Sequence, residues 1–143
     1  MLLAPQIMQD HPTSLELIHA VAQFLHTELA PTLKDPRMKF RALVAANVLQ
    51  IVARETEVRD MQLRAERARL NELLNENAAN ENVADDVEQL TRALAQKIRA
   101  GDADEGAFHD AVFAHVEQTA IEKLQVANPK YLERVLRETK LRD

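Results

Sequence analysis

The chain has no cysteine, no tryptophan and a single serine, Ser14, among its 143 residues. The absence of cysteine excludes a disulfide framework and thiolate chemistry, and it is typical of proteins in the reducing cytoplasm, where we expect this one. The sequence also lacks a glycine-rich loop and any run of residues typical of a β-strand. Because these absences leave few routes to catalysis, we expect a protein that is not an enzyme and uses no cofactor.

Aromatic residues and positive charge are also scarce. Four Phe and one Tyr are the only aromatic residues, and 18 Lys and Arg stand against 23 Asp and Glu, giving a formal net charge of -5. Nucleic-acid binding requires a basic surface, and single strands are bound by stacking on aromatic rings, so we expect no nucleic-acid partner. No apolar run approaches the ~20 residues of a membrane-spanning helix, so we expect no membrane association.

The two glycines and five prolines all lie outside residues 37–100. Glycine and proline interrupt helices, and between them the apolar residues recur with a period near 3.6. The sequence therefore predicts an all-α protein, a single-domain bundle of about five helices over residues 13–143. Residues 1–12 precede the helical pattern and are expected to be a flexible lead. Their short apolar start lacks the charged n-region of a signal peptide.

Specific residues mark where the first two helices begin and end. Thr13 and Glu16 have the spacing of a capping box at the start of the first helix, and Pro31 is expected to close that helix. Asp35 and Pro36 have the residue types of an N-cap and of a first helical position, so they predict the start of the second helix.

The second helix is predicted to be unusually long. Without glycine or proline from Arg37 to Leu74, it would extend roughly 57 Å at ~1.5 Å per residue, so we expect it to project partly from the bundle or to bend gently. An asparagine-rich loop is predicted at residues 75–82. The third helix is expected to end at Gly101, and the last to begin at Asn128.

The apolar pattern predicts which faces are buried. Residues 42–53 are apolar on almost every side of the second helix, which is typical of the centre of a bundle. Val48→Asp is therefore expected to destabilise the protein by more than ~3 kcal/mol. His109 falls within the predicted apolar face of the fourth helix and is expected in the core. That face consists of Phe108, Val112, Val116, Ala120 and Leu124.

Three polar residues, Asn47, Arg54 and Glu55, lie close together on this otherwise apolar helix. Burying an amide or a guanidinium costs on the order of several kcal/mol unless it is paired. Two interpretations stay open: an internal hydrogen-bond network, or a point where the helix meets a partner. In the charged stretch that follows, a thin apolar stripe suits binding in the groove of a partner. The stripe consists of Met61, Leu63, Leu70 and Leu74.

The histidines offer one pattern with metal-binding spacing. Glu16 and His19 form a Glu-x-x-His, as in the metal sites of ferritin-like bundles, which require a second copy and two further glutamates. Neither His109 nor His115 has a glutamate three residues earlier, so the set is incomplete. We interpret His19 and His26 as histidines at the edge of an apolar face, and we predict no metal site and no catalytic residues.

Three segments of the chain carry a family resemblance: Met8–Thr13 (MQDHPT), Val44–Val52 (VAANVLQIV) and Leu124–Leu132 (LQVANPKYL). They resemble a small bacterial family of uncharacterised all-helical proteins, over residues 8 to about 135. That family tends to be encoded beside aminoglycoside-phosphotransferase-like kinases and acyl-CoA dehydrogenase-like proteins. The resemblance implies an accessory subunit of a kinase that acts on hydroxyacyl-CoA intermediates, and it brings no catalytic residues to this chain.

The leading hypothesis is therefore a non-enzymatic binding subunit that docks a phosphotransferase-like kinase, through exposed parts of the second helix and of the last one. The alternative is a structural protein that associates with its own copies through the charged half of the second helix.

Overall fold

The computed structural model describes residues 11–140, and within this range it contains helices and no β-strand. The predicted all-α fold is confirmed. The predicted flexible lead, residues 1–12, lies almost entirely outside the described residues.

The first helical segment consists of α1 (Ser14–Gln23), a π-helical turn (Phe24–Leu29) and α2 (Ala30–Thr32), in direct succession. The predicted capping box is confirmed. The Glu16 N–H donates to the Thr13 hydroxyl at 3.2 Å, and the Thr13 N–H donates to the Glu16 carboxylate at 2.6 Å.

The π-helical turn explains why Pro31 does not close this segment. The Ala30 N–H donates to the carbonyl of Leu25, five residues earlier. Proline has no N–H, and in a regular α-helix its ring clashes with the carbonyl four residues back, so the wider turn before it relieves that conflict. The helical segment therefore continues through Pro31 and ends at Thr32.

The long helix α3 (Pro36–Leu74) is continuous over 39 residues. Asp35 caps it as predicted, accepting the Arg37 N–H at 2.9 Å. At its other end Asn75 has a positive φ of 55°. The Glu76 N–H donates to the carbonyl of Asn71 at 2.9 Å, so this end is a Schellman motif with asparagine in the left-handed position.

Three further helices follow, α4 (Val83–Arg99), α5 (Gly106–Ala127) and α6 (Pro129–Lys140). The predicted loop and the predicted C-cap are both confirmed. Gly101 has φ +89°, and the Asp102 N–H donates to the Lys97 carbonyl at 3.1 Å, which closes α4 with a second Schellman motif.

The chain divides into two compact units, an N-terminal unit (Met1–Glu57) and a C-terminal unit (Val58–Asp143), and α3 contributes residues to both. In the N-terminal unit the fully buried apolar residues described are all alanines. They are Ala22, Ala30, Ala46 and Ala53.

The exposure of the larger side chains in this unit contradicts the predicted core. Val48 is 50% exposed, and Val44 and Val52 are exposed as well. Ala46 and Ala53 are buried while the three valines of the same helix are exposed, so an apolar sequence on every side did not mean burial on every side. The expectation that Val48→Asp buries an unpaired charge is wrong.

The C-terminal unit has a conventional core of larger side chains. Its buried cluster consists of Leu70, Val87, Leu90, Leu94 and Val112, contributed by α3, α4 and α5. Burial of this kind stabilises a fold by roughly 25 cal/mol per Å² of apolar surface.

The predicted buried face of α5 is only partly correct. Val112 is buried and Phe108 packs against the core, but Val116 is 53% exposed and Ala120 is exposed. The inner face turns instead to His115, which is only 8% exposed. His109, predicted in the core, is exposed, and its Nδ1 lies 2.9 Å from the Ala103 carbonyl oxygen.

Candidate functional site

The three polar residues singled out on α3 lie in the N-terminal unit. Asn47 and Glu55 are exposed and Arg54 is half-buried. An internal network, one of the two interpretations, depends on burial of these groups, and for Asn47 and Glu55 that burial is absent. Contact with a partner stays a prediction for this set.

The apolar stripe predicted further along α3 belongs to the C-terminal unit. Leu70 is 0% exposed at the centre of that unit's core, and Leu63 and Leu74 pack against the same cluster. Only Met61, at 65% exposure, is open to a partner. This corrects the expectation that the whole stripe is available for binding.

Most of the exposed large apolar side chains described in the N-terminal unit belong to two stripes, called here the apolar stripes. The α1 stripe, Leu17, Val21 and Phe24, follows helical spacing of four and three residues and ends in the π-helical turn. The α3 stripe advances in steps of four residues and includes Phe40, which is 67% exposed. Its members are Phe40, Val44, Val48 and Val52.

Charge is distributed unevenly along the α3 stripe. No Asp, Glu, Lys or Arg occurs between Ala42 and Ala53, whereas Arg37, Lys39 and Arg41, all exposed, precede it within one and a half turns. The arrangement is an uncharged apolar surface with a basic rim at one end. A surface of this kind binds an apolar groove with an acidic edge most favourably.

The C-terminal unit contains a partly buried ion pair between α3 and α5. The Arg69 guanidinium donates to both carboxylate oxygens of Glu122, at 2.9 and 2.8 Å. Gln118 donates to the same carboxylate at 3.0 Å. Burial has the largest single effect on the Glu122 pKa and raises it, but the hydrogen bonds and charge of Arg69, with the Gln118 amide, outweigh it and lower the pKa.

His115 lies beside this pair and is the buried histidine of the described chain. Burial lowers its pKa below 6.5, and the positive charge of Arg69 lowers it further, while Glu66 and Glu122 act in the opposite direction. His115 is therefore neutral at pH 7. Its Nδ1, the Arg69 Nε and the Thr119 hydroxyl are buried atoms without a hydrogen-bond partner. Each such atom costs about 1–3 kcal/mol.

Two grooves of the C-terminal unit share His115 as a lining residue. The larger, of about 590 Å³, lies between α3 and α5 and is lined by Arg69, Leu73, Phe108 and three alanines of α5. The smaller, of about 360 Å³, lies between α4 and α5 and includes Leu94 and Thr119. The three unpaired buried atoms thus belong to residues that line these grooves.

A second charged cluster in the C-terminal unit holds the asparagine-rich loop in place. Asp86 is fully buried and accepts from Arg67 at 3.0 Å and from the Asn80 backbone N–H at 2.9 Å. Burial raises its pKa most, but the bonds from Arg67 and Asn80 outweigh burial and lower it. Both carboxylate oxygens of Asp86 accept hydrogen bonds from within the protein, so we interpret this cluster as structural.

The two histidines discussed in the sequence analysis, His19 and His26, are not part of a metal site. His19 and His26 are exposed, and His19 Nε2 lies 3.9 Å from the Glu57 carboxylate. Among residues 11–140, no group of three or more His, Asp or Glu side chains is arranged to hold a metal ion.

Sequence reasoning missed the combination of Arg69, His115 and Glu122. The signal was present, because residues 108, 112, 115, 119 and 122 follow steps of four and three and define one helical face. Choosing Val116 and Ala120 as the inner face placed His115 outside it. That choice relied on the apolar character of the side chains. On α5 the helical spacing of the residues identifies the buried face better.

A family model matches residues 31–131, more than half of the chain. The matching model describes DUF6285, a domain of unknown function. The chain belongs to the DUF6285 family. No curated protein and no solved structure matches it.

The DUF6285 match includes the α3 stripe with its basic rim and the Arg69, His115 and Glu122 residues of the C-terminal unit. The α1 stripe precedes the matched range. Over the described residues of this DUF6285 protein, no helix has both the length and the apolarity required to cross a membrane.

Proposed function

We propose that this DUF6285 protein is a non-enzymatic binding subunit that docks onto a partner protein through the apolar stripes of its N-terminal unit. The observation that supports this proposal is the reversal of burial in that unit. Phe40 is 67% and Leu17 is 52% exposed, whereas the fully buried residues described are alanines. Large exposed apolar patches are typical of protein-binding surfaces.

The energetics favour an occupied surface. Fully burying a Val, Leu or Phe side chain contributes about 1.5–3 kcal/mol relative to leaving it exposed. The two stripes contain seven such residues, each at least 40% exposed, so a partner that covers even part of them gains several kcal/mol. The absence of charge between Ala42 and Ala53 means that burial of Val44, Val48 and Val52 desolvates no ionised group within that part of α3.

The partner we propose is a cytoplasmic phosphotransferase-like kinase that acts on hydroxyacyl-CoA intermediates, with this protein as its accessory subunit. The family resemblance supplies this identity. The surface supplies the chemistry: the kinase should present an apolar groove whose edge is acidic where it meets Arg37, Lys39 and Arg41.

Co-expression with the neighbouring kinase, followed by size-exclusion chromatography with light scattering, tests the proposal. We expect a mixed complex with the wild-type protein and its loss with Val48→Asp, which places a charge in the α3 stripe. Gln50→Asp is the matched control, because it adds the same charge at an exposed position of α3 outside the stripe. Separate peaks for the wild-type protein and the kinase would contradict the kinase assignment.

Self-association is the second candidate function, and the ends of the α3 stripe favour it. Exposed basic residues lie at the start of the stripe, while the exposed Glu55 and Glu57 and the half-buried Arg54 follow it, so the exposed charges at its far end are acidic. Two copies related by a two-fold axis, with their α3 helices antiparallel, would place the basic end of each beside the acidic end of the other. Light scattering of the protein alone tests this: a dimer that Val48→Asp separates supports it, and a monomer at all concentrations contradicts it.

A further inference from the structure

We propose that the larger groove of the C-terminal unit, between α3 and α5, binds a basic amphipathic helix of a protein partner. The groove belongs to the C-terminal unit and the apolar stripes belong to the N-terminal unit, so this proposal does not depend on the proposed function.

The lining of the groove is mainly apolar and can be reached from solvent. On α5 it consists of Ala107, Ala111 and Ala114, all exposed, and the half-buried Leu73 and Phe108 line the same groove. The three alanines are spaced four and three residues apart, so they share one side of α5. Small side chains let a second helix approach closely, and the groove volume of about 590 Å³ leaves room for the apolar side chains of that helix.

The two stretches of chain that form the groove are acidic. Residues 70–91 contain six Asp and Glu, residues 100–122 contain six more, and neither range contains Lys or Arg. The first range includes the end of α3 and the second includes most of α5. The cation that lines the groove, Arg69, is paired with Glu122 through two hydrogen bonds. The uncompensated charge at the groove is therefore negative.

Two exposed carboxylates are placed to recognise a cationic partner. Glu72 lines the groove from α3. On α5, Asp110 lies three residues after Ala107 and four before Ala114, so it borders the alanines on the helix surface. Within residues 11–140, neither carboxylate forms an ion pair. Lys or Arg side chains of a docked helix would pair with these two carboxylates while its apolar face covers the alanines.

The exposure of these carboxylates favours a helix over a small organic cation. An ion pair at an exposed position contributes little to affinity, because both charges stay hydrated and are screened by salt. A small cation would gain little beyond such a pair. A helix also buries apolar surface along the groove, and that burial supplies the main favourable contribution to the free energy of binding.

Fluorescence anisotropy with two labelled amphipathic peptides tests the proposal at about 0.15 M salt, where charges are largely screened beyond ~8 Å. Both peptides carry leucine along one helical face, and the remaining positions are lysine in one peptide and glutamate in the other. We expect saturable binding of the leucine–lysine peptide and at least tenfold weaker binding of the leucine–glutamate peptide.

Two pairs of variants test whether the peptide lies in this groove. Glu72→Lys should weaken binding of the leucine–lysine peptide at least fivefold, whereas Glu133→Lys, an equal change of charge at an exposed acid of α6, should leave the affinity within twofold. Ala111→Phe fills the groove and should weaken binding at least tenfold. Ala120→Phe, at an exposed alanine of α5 that lines the smaller groove instead, should leave the affinity within twofold.

The proposal would be overturned by the absence of saturable binding, by equal affinity for the two peptides, or by unchanged affinity in Ala111→Phe. Val48→Asp separates this proposal from the proposed function, because it alters only the α3 stripe and should leave the peptide affinity unchanged. Weaker peptide binding by Val48→Asp would place the peptide on the apolar stripes and would also overturn the proposal. Urea denaturation of each variant shows that it is folded.

Discussion

Two residues of α3, Val48 and Ala46, should differ sharply in how much a charge placed there destabilises the protein. Val48 is 50% exposed, whereas Ala46, two residues earlier, is 1% exposed. We expect Val48→Asp to change the free energy of unfolding by less than ~1 kcal/mol, and Ala46→Asp to lower it by more than ~3 kcal/mol, because only the second change buries an unpaired carboxylate. Urea denaturation measures both. A large loss of stability for Val48→Asp would mean that Val48 is buried in the core, as the sequence predicted.

The ion pair between Arg69 and Glu122 should be costly to break from one side. Arg69→Met leaves the Glu122 carboxylate largely buried without its main partner, so we expect a loss of about 2–3 kcal/mol, less than for a fully buried pair because both side chains retain some exposure. The double variant Arg69→Met/Glu122→Leu should recover most of that loss, since it removes the stranded charge. A double variant as unstable as the single one would mean that the cost arises from packing alone.

The buried His115 should make stability depend on pH. Its pKa in the folded protein lies below the ordinary value of 6.5, so the unfolded chain takes up a proton first as the pH falls. The stability is then fully present above about pH 6.5 and declines below it. The lowered pKa of Glu122 affects the stability only at more acidic pH, because the ordinary pKa of a glutamate is 4.5.

Urea denaturation between pH 7.5 and 5 measures this effect. His115→Leu should lose less stability over that range than the wild-type protein, because leucine takes up no proton. His26→Leu, at an exposed histidine, is the matched variant and should lose as much as the wild type. If the free energy of unfolding fell by the same amount for the wild type and for His115→Leu, the conclusion that His115 is buried and neutral would be contradicted.

At the level of elements, the helix ends followed their local sequence closely. Thr13 with Glu16, Asp35, and Gly101 were each predicted at the positions where the structure has a cap. Caps depend on hydrogen bonds between residues a few positions apart, so the sequence carries most of the information that determines them. The π-helical turn was not predicted, because its benefit arises from the proline that follows it.

The buried faces could be predicted less well, and α3 shows why. Periodicity identifies apolar residues, but the residues that become buried depend on which neighbouring helix packs there. In residues 42–53, Ala46 and Ala53 are buried, and the three valines remain exposed. The candidate surface thus arose where the prediction of the core failed. The two grooves that His115 lines were missed for a related reason, because they depend on how α3, α4 and α5 pack together.

The end of α4 offers a test at the same scale. Gly101 has a left-handed backbone, which costs other residues roughly 1–2 kcal/mol. We expect Gly101→Val to lower the free energy of unfolding by about that amount, and Gly101→Asn to lower it less, because asparagine tolerates this conformation and occupies it at Asn75. Equal losses for both variants in urea denaturation would mean that backbone strain is not the cause. Gly101→Val should therefore lower the free energy of unfolding more than Val48→Asp does.

At the scale of the whole molecule, the two units differ in which side chains they bury and which they expose. The N-terminal unit exposes large apolar side chains around an alanine interior, which suits a docking surface. The C-terminal unit has a core of leucine and valine and contains the groove between α3 and α5. The first supports the proposal of a binding subunit, and the second the proposal of a site for a basic helix.

The affinity of the proposed partner, a phosphotransferase-like kinase, for the wild-type protein, Val48→Asp and Gln50→Asp is the most direct test of the binding subunit. Calorimetry at one buffer condition gives all three values. We expect Gln50→Asp to bind like the wild type and Val48→Asp to bind at least tenfold more weakly, with unchanged unfolding in urea. Equal affinities for the three proteins would contradict the proposal that the apolar stripe on α3 is the docking surface.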